Sequence, residues 1–277
     1  MESRELTVII VTFKSETRVI NCLKSISKNI SVIVVENSND KKFKSRIEEN
    51  FNNVNCILTG ENKGYAAANN IGLKLVKTKY ALVLNPDTIL NSQAIQNFLN
   101  TVNKVQDFWL IGPAVNQMVD FDFKKKNLIE VNNIKGFAIF FNISKFNQNF
   151  FDENFFLYFE EIDLCKRVKN NNGKIYLDNS IIISHDGANS VHNSNIIELE
   201  KNRNWHWMWS TFYYHKKHKG FFLSLLIIFP KLLSALIKSL FYLLILNKNK
   251  RDIYLCRLSG IFNSMIGKKS WYRPALD

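Results

Sequence analysis

The chain has 277 residues, 46% hydrophobic and 22% charged, which allows a sizeable core and excludes wholesale disorder. With 10 glycines and 4 prolines, collagen-like and low-complexity architectures are excluded too. The net charge of +13 is concentrated at one end: residues 201–277 hold 14 Lys and Arg against 2 Asp and Glu, whereas residues 1–200 are nearly balanced.

Leu6–Phe13 is a continuous β-branched apolar run, the pattern of a strand buried on both faces. Val19, Ile20, Leu23 and Ile26 then recur at helical spacing, with Ser15 placed as a cap. Ser31–Val35 and Val54–Thr59 read as further strands on either side of a polar connection, Lys41–Asn50, with possible helix. A helix over Tyr65–Val76, a buried strand at Tyr80–Leu84 and a helix over Ser92–Lys104 follow. This alternation predicts an α/β fold, a mostly parallel doubly wound sheet whose ligands sit beyond the carboxyl ends of its strands. Phe108–Val115 and Gly136–Phe141 read as strands flanking a polar loop, Asn116–Asn133. An acidic, aromatic segment and a strand over Ile181–His185 complete a first domain, placed at residues 1–200 where the charge shifts; residues 201–277 form a basic, apolar helical extension.

Cys22, Cys56, Cys165 and Cys256 are scattered, with neither metal-ligand spacing nor a disulfide framework. The N-terminal segment has no secretory pattern, so the expected compartment is the reducing cytoplasm, and Asn142-Ile143-Ser144 is a chance glycosylation match.

Four polar segments break the core pattern at or just past strand ends. Glu36–Asp40 follows the second strand. Asn62–Gly72 follows the third, where Gly64 and small alanines let backbone approach a ligand at a helix N-terminus. Asn85-Pro86-Asp87-Thr88 ends a buried strand in a carboxylate, either a ligand for a divalent cation near a diphosphate or a turn cap. Ser184-His185-Asp186-Gly187 supplies a histidine, either structural or a ligand.

Taken in this order, VIIVTFKSE, VIVVENSND, NKGYAAANNIG, LVLNPDT, IKGFAIFF, FDENFFLYFEEIDLCKR and ISHDGANS resemble the inverting, GT-A-type family 2 glycosyltransferases, in their rhamnosyltransferase-like branch. The matching stretches cover residues 6 to about 190. The resemblance implies a GT-A fold, a nucleotide-diphosphate sugar donor and a divalent metal, Mg2+ or Mn2+. It places Thr12 and Phe13 near the base, Glu36, where the family usually has Asp, at the base or ribose, and Asn62, Lys63 and Gly64 along the nucleotide. Asp87 matches the surviving acid of the Asp-x-Asp metal motif, with Asn85 in place of the first acid, and His185 matches a second ligand to the metal or diphosphate.

Inverting transfer needs a general base to take the acceptor's proton. Glu160, Glu161 and Asp163 are the candidates. A helix over residues 160–169 would centre Glu161 on the arc of Ile162, Leu164, Cys165 and Val168. Glu160 and Asp163 fall off that arc, Asp163 facing Arg167 at i,i+4. Glu161 is therefore the expected base, with Asp163 and Glu160 as alternatives, and the family's motif, which reads Glu-Asp here, implies the same position. Tyr158 and Phe159 are expected to wall the acceptor pocket or the core.

In the tail, Trp205, Trp207, Trp209, Phe212, Tyr213 and Tyr214 precede a run of lysines, as suits a lipid headgroup region. Pro230-Lys231 divides the following apolar stretch into pieces of nine and fifteen residues, each short of the ~20 that span a bilayer. A helix lying in the interface fits best, with a kinked span or packing on the first domain as alternatives. The expected function is hexosyl transfer, of rhamnose or another hexose, to a growing, lipid-linked bacterial surface glycan, by an enzyme peripherally attached to the inner face of the cell membrane. A nucleotidyltransferase is the rival within enzymes, although no Gly-rich phosphate loop follows the first strand. A nucleic-acid-binding protein is the rival outside them, although the first 200 residues lack a basic excess.

Overall fold

Every residue of Leu6–Thr12 is buried, as an unbroken apolar run requires of a central strand. The computed structural model describes residues 5–105, 107–113, 127–185 and 196–273. Residues up to Glu153 with Glu161–Ala188 form one unit, and Asn154–Glu160 with Asn189–Asp277 form another.

The first unit contains, in chain order, β1 (Leu6–Thr12), α1 (Glu16–Lys24), β2 (Ser31–Glu36), α2 (Lys41–Asn50), β3 (Val54–Leu58), α3 (Tyr65–Lys74), β4 (Tyr80–Leu84), β5 (Thr88–Leu90), α4 (Ala94–Lys104), β6 (Leu110–Pro113), β7 (Leu128–Glu130), β8 (Ala138–Asn142), α5 (Glu160–Asn170), β9 (Ile175–Asp178) and β10 (Ile183–His185). The main sheet runs β3-β2-β1-β4-β8-β6-β9-β7. Its first four strands are parallel, and β8 enters antiparallel to β4. A separate two-stranded ribbon pairs β5 with β10, His185 opposite Thr88. The fold is the expected α/β architecture, a largely parallel sheet with a helical extension.

Local departures have local causes. The polar connection at Lys41–Asn50 is a full helix, because Asp40 accepts the Phe43 N–H at 2.8 Å. Ser15 precedes α1 without capping it through its side chain; its hydroxyl donates instead to the Phe13 carbonyl at 3.0 Å. The strand expected over Phe108–Val115 spans only Leu110–Pro113, and residues 114–126, with most of the expected loop, lie outside the described residues. Gly72 brings α3 directly onto β1 and β2, since an added Cβ would lie 2.6 Å from Ile9 Cγ2 and 3.2 Å from Val35 Cγ2.

The second unit is built on α6 (Ile196–Lys219), α7 (Phe221–Leu244) and α8 (Lys248–Met265). A boundary at residue 200 therefore falls inside α6. The aromatic cluster expected at lipid headgroups is largely core instead. Trp205, Trp209 and Phe212 are buried, with Trp205 Nε1 donating to Ser259 Oγ at 3.1 Å and Trp209 Nε1 to the Lys268 carbonyl at 3.0 Å. Only Trp207 of the three tryptophans on α6 is exposed. The helices approach so closely at Gly260 that any Cβ there would meet the Trp205 carbonyl.

Pro230 does not divide the apolar stretch: α7 is one helix of 24 residues, about 36 Å long. Proline's fixed φ suits a helix and removes only one donor, and both α6 and α8 pack along α7. The helix is inverted in its amphipathicity. Ser224, Ile228, Ala235 and Ser239 are its buried residues, while Phe222, Leu226, Phe229, Leu240, Phe241 and Leu244 are exposed. By length and composition it could cross a membrane, and 17% of its most apolar window is buried.

His206 is fully buried in this unit, and its Nε2 must donate to the Tyr272 carbonyl at 2.9 Å, leaving Nδ1 to accept from Ser270 at 2.8 Å. Burial holds its pKa down at about 3, with the Arg273 charge acting in the same direction. Below about pH 6.5 the unfolded chain therefore binds a proton that the folded chain refuses. The stabilisation by neutral His206 is complete above that value and is lost as pH falls toward 3, at about 1.4 kcal/mol per pH unit. Urea midpoints measured from pH 7 to pH 4 should fall more steeply in the wild type than in His206→Gln.

Candidate active site

The carboxyl ends of β1 and β2 open onto a cleft of about 240 Å3 lined by Thr12, Lys14, Ser15, Glu16, Glu36, Asp40 and Phe43. Thr12 Oγ1 is buried there without a hydrogen-bond partner. Glu36 is also buried, and its own loop engages its carboxylate: Ser38 N and Asp40 N donate to Oε2 at 3.1 and 3.2 Å, and Ser38 Oγ donates to Oε1 at 2.7 Å. The extra methylene relative to Asp is thus used to brace the cleft wall. Phe13 is half-buried beside the cleft, with the Lys14 ammonium 6.0 Å from its ring centre.

Asn37, which the sequence reading passed over as a site residue, organises the Asn62–Gly64 turn. Its Nδ2 donates to Asn62 Oδ1 at 3.0 Å and to the Gly64 carbonyl at 3.3 Å, and its Oδ1 accepts from Lys63 N at 2.9 Å. Asn62 Oδ1 also accepts from Gly64 N at 3.1 Å, so Asn62 holds the turn that starts α3. The Lys63 side chain is at the surface, paired with Glu61 at 3.0 Å. Its position directly after a strand end was the signal for Asn37.

The ribbon of β5 and β10 brings together two residues almost a hundred positions apart. His185 Nε2 lies 3.4 Å from Asp87 Oδ1, and Arg18 Nη1 lies 3.9 Å from Asp87 Oδ2. Asp87 Oδ1 and Asn85 Oδ1 are both buried without a hydrogen-bond partner, a costly state for acceptor oxygens that a cation would relieve. Carboxylate, amide oxygen and imidazole are ligands suited to Mg2+ or Mn2+. No three His, Cys, Asp or Glu side chains form a metal-binding group among the described residues. Asp186 and Gly187 of the same motif lie outside the described residues.

Gly136 and Phe137 connect this place to Glu161. Asn85 N donates to the Phe137 carbonyl at 2.9 Å, and the Phe137 ring stacks on His185 with centroids 4.9 Å apart. A Cβ on Gly136 would lie 3.5 Å from Glu161 Cβ and Cγ, and the Gly136 carbonyl accepts from Tyr65 Oη at 3.0 Å. Asp87, His185 and Glu161 thus converge around one dipeptide. Desolvation raises the Glu161 pKa above its ordinary value, against the opposing pull of the backbone N–H groups of Glu161 and Ile162 and of the Lys135 charge.

Asp163 makes the i,i+4 contact with Arg167 that the spacing implies, but its place off the apolar arc does not expose it. It is fully buried, donated to by Arg167 Nε at 2.8 Å, and Arg167 reaches on to the carbonyls of Asn149 and Phe150. The loop carrying those carbonyls lies against the side of α5 off the apolar arc. Glu160 is buried as well, whereas Glu161 is half-buried. What distinguishes Glu161 is its place against Gly136.

Tyr158 and Phe159 belong to the second unit. Their φ values of 69° and 71° lie in the left-handed region, at a cost of about 1–2 kcal/mol each. Both rings pack on Trp207 with centroids 5.3 Å away, and Phe159 also meets Tyr214 at 5.5 Å.

The model of the family described as Glycosyl transferase family 2 matches residues 7–167, more than half of the chain. The low-salt glycan biosynthesis hexosyltransferase Agl10 of Haloferax volcanii is 27% identical over 195 residues, 61% of this chain and 62% of its own length. The teichoic acid poly(glycerol phosphate) polymerase of Staphylococcus epidermidis is 30% identical over 132 residues, 43% of this chain and 18% of its own. The chain thus matches less than two thirds of either relative. Among solved structures, the mannosyltransferase PcManGT from Pyrobaculum calidifontis, in complex with GDP-Man and Mn2+, shares the fold with a TM-score of 0.60 at 11% identity, over 96% of this chain and 88% of that one. The fold is GT-A, the nucleotidyltransferase reading gives way, and the chain belongs to glycosyl transferase family 2.

Proposed function

We propose that this glycosyltransferase moves a hexose, rhamnose or another, with inversion from a nucleotide-diphosphate donor to a hydroxyl of a growing, lipid-linked bacterial surface glycan. The observation that carries the reading is the convergence of Asp87, His185 and Glu161 on Gly136 and Phe137. Glu161, its pKa raised by desolvation, takes the proton of the attacking hydroxyl. Thr12, Phe13 and Glu36 border the nucleoside, and the Asn62–Lys63–Gly64 turn lies along it. Asp87 and His185, with Asn85, would hold a divalent cation, which when bound supplies positive charge to the departing diphosphate. So few protein ligands suffice where phosphates and water complete the coordination.

The test is a thermal-shift screen of TDP-, UDP- and GDP-sugars with Mg2+ or Mn2+. One donor should raise the melting temperature of the wild type, by about 2.7 kcal/mol of added stability at a hundredfold excess over its Kd. Asp87→Ala should lose the cation-dependent part of that shift and at least about a hundredfold in turnover. A wild-type chain that no nucleotide sugar stabilises with either cation would overturn the reading.

The basic second unit is read as attaching the enzyme to the anionic inner face of the cell membrane. The support is the exposed apolar side of α7 beside the charge excess of residues 201–277, 14 Lys and Arg over 2 acids. A chain that stays in the supernatant with phosphatidylglycerol vesicles at low salt would remove this attachment.

A further inference from the structure

We propose that Trp207, walled by Tyr158 and Phe159, is the floor of a subsite that holds one pyranose ring of the acceptor glycan; this rests on the glycosyltransferase reading. Trp207 is 41% exposed, whereas Trp205 and Trp209 on the same helix are 0% and 3% exposed. It is therefore an aromatic kept at the surface between two that serve the core. The walls are Tyr158, edge-on at 73°, and Phe159, tilted at 58°. Both occupy left-handed backbone that favours Gly or Asn, yet both carry large rings. A turn serving only to reverse the chain would not need side chains there.

The rim is charged. Arg203 and Glu200, ion-paired at 3.8 Å, precede Trp207 on α6 by one and two turns and act on the Tyr158 hydroxyl. A hexopyranose presents C–H groups on one face and hydroxyls around its edge, so an indole floor with a guanidinium and carboxylate rim complements it. A lipid chain would match the floor but leave the charged rim unused, and α7 carries its own exposed apolar side chains.

The experiment uses the full chain with methyl glycosides of rhamnose, mannose, glucose and N-acetylglucosamine, read by saturation-transfer NMR. At least one glycoside should give ring-proton signals in the wild type that fall about tenfold in Trp207→Ala and are largely kept in Trp207→Phe. Sedimentation with phosphatidylglycerol vesicles should be unchanged in both variants. Absence of any Trp207-dependent glycoside signal, or loss of vesicle binding in Trp207→Ala, overturns the subsite, the second outcome making Trp207 a lipid contact. Donor-induced thermal shifts separate the two levels: if they persist in the wild type while the glycoside signals fail, only the subsite falls.

Discussion

Glu161→Gln should lower turnover by about a thousandfold while leaving the donor-induced thermal shift intact, and it should raise the melting temperature of the free protein. The first effect follows from removing the carboxylate placed against Gly136, general-base catalysis contributing about 10²–10⁴-fold. The second follows from the sign of its pKa shift. A carboxyl whose folded pKa lies above its unfolded one favours folding fully below the unfolded value, and loses that contribution as pH rises through the folded value. Above its unfolded pKa the Glu161 carboxyl is held in the fold at a cost, which an uncharged isostere removes. The stability gain should thus grow as pH rises above the ordinary carboxylate range and vanish on acidification, readable as melting curves of the two proteins across pH. The wild-type kcat/KM profile should show an acid limb above the ordinary carboxylate range, for the same reason. Wild-type turnover in the variant would transfer the base's role to Asp163 or Glu160.

Gly260→Ala should destabilise the second unit by about 3 kcal/mol, among the larger effects expected of one methyl group. The added Cβ would meet the Trp205 carbonyl and lie 3.3 Å from Trp209 N, both backbone, which cannot rotate away as a side chain could. Relief requires α8 to move off α6, breaking the Trp205–Ser259 and Trp209–Lys268 hydrogen bonds at that same seam. A lowered urea midpoint, with donor-induced shifts retained at low denaturant, would match this account. A midpoint equal to that of the wild type would mean that the helices are not in contact at Gly260.

The parallel half of the sheet was legible because its strands are long, apolar and buried on both faces; Tyr80–Leu84 was read to the residue. Leu128–Glu130 and Ile175–Asp178 were not, since three or four residues establish no period and their pairing is made by distant partners. The motif residues Asp87, His185 and Glu161 were readable as types at strand ends and helix starts. Tyr65, Gly136 and Arg18 were not, because each acts through a contact with a residue far along the chain. The wheel gave the Asp163–Arg167 pair but not the burial of Asp163, because a helical projection records one axis and knows nothing of a loop that covers the other side. In the tail, a window of hydropathy cannot tell whether a helix buries its leucines or its serines; α7 does the latter.

The ribbon of β5 and β10 has only three residue pairs, too few to be stable as an isolated ladder. Whatever bridges Asp87 and His185 therefore also clamps the ribbon, and its occupancy is linked to local order. Amide protons of Thr88–Leu90 and Ile183–His185 should exchange quickly in the empty enzyme and slowly once the site is filled, making this short stretch a reporter of loading in a protein whose reaction leaves no colour.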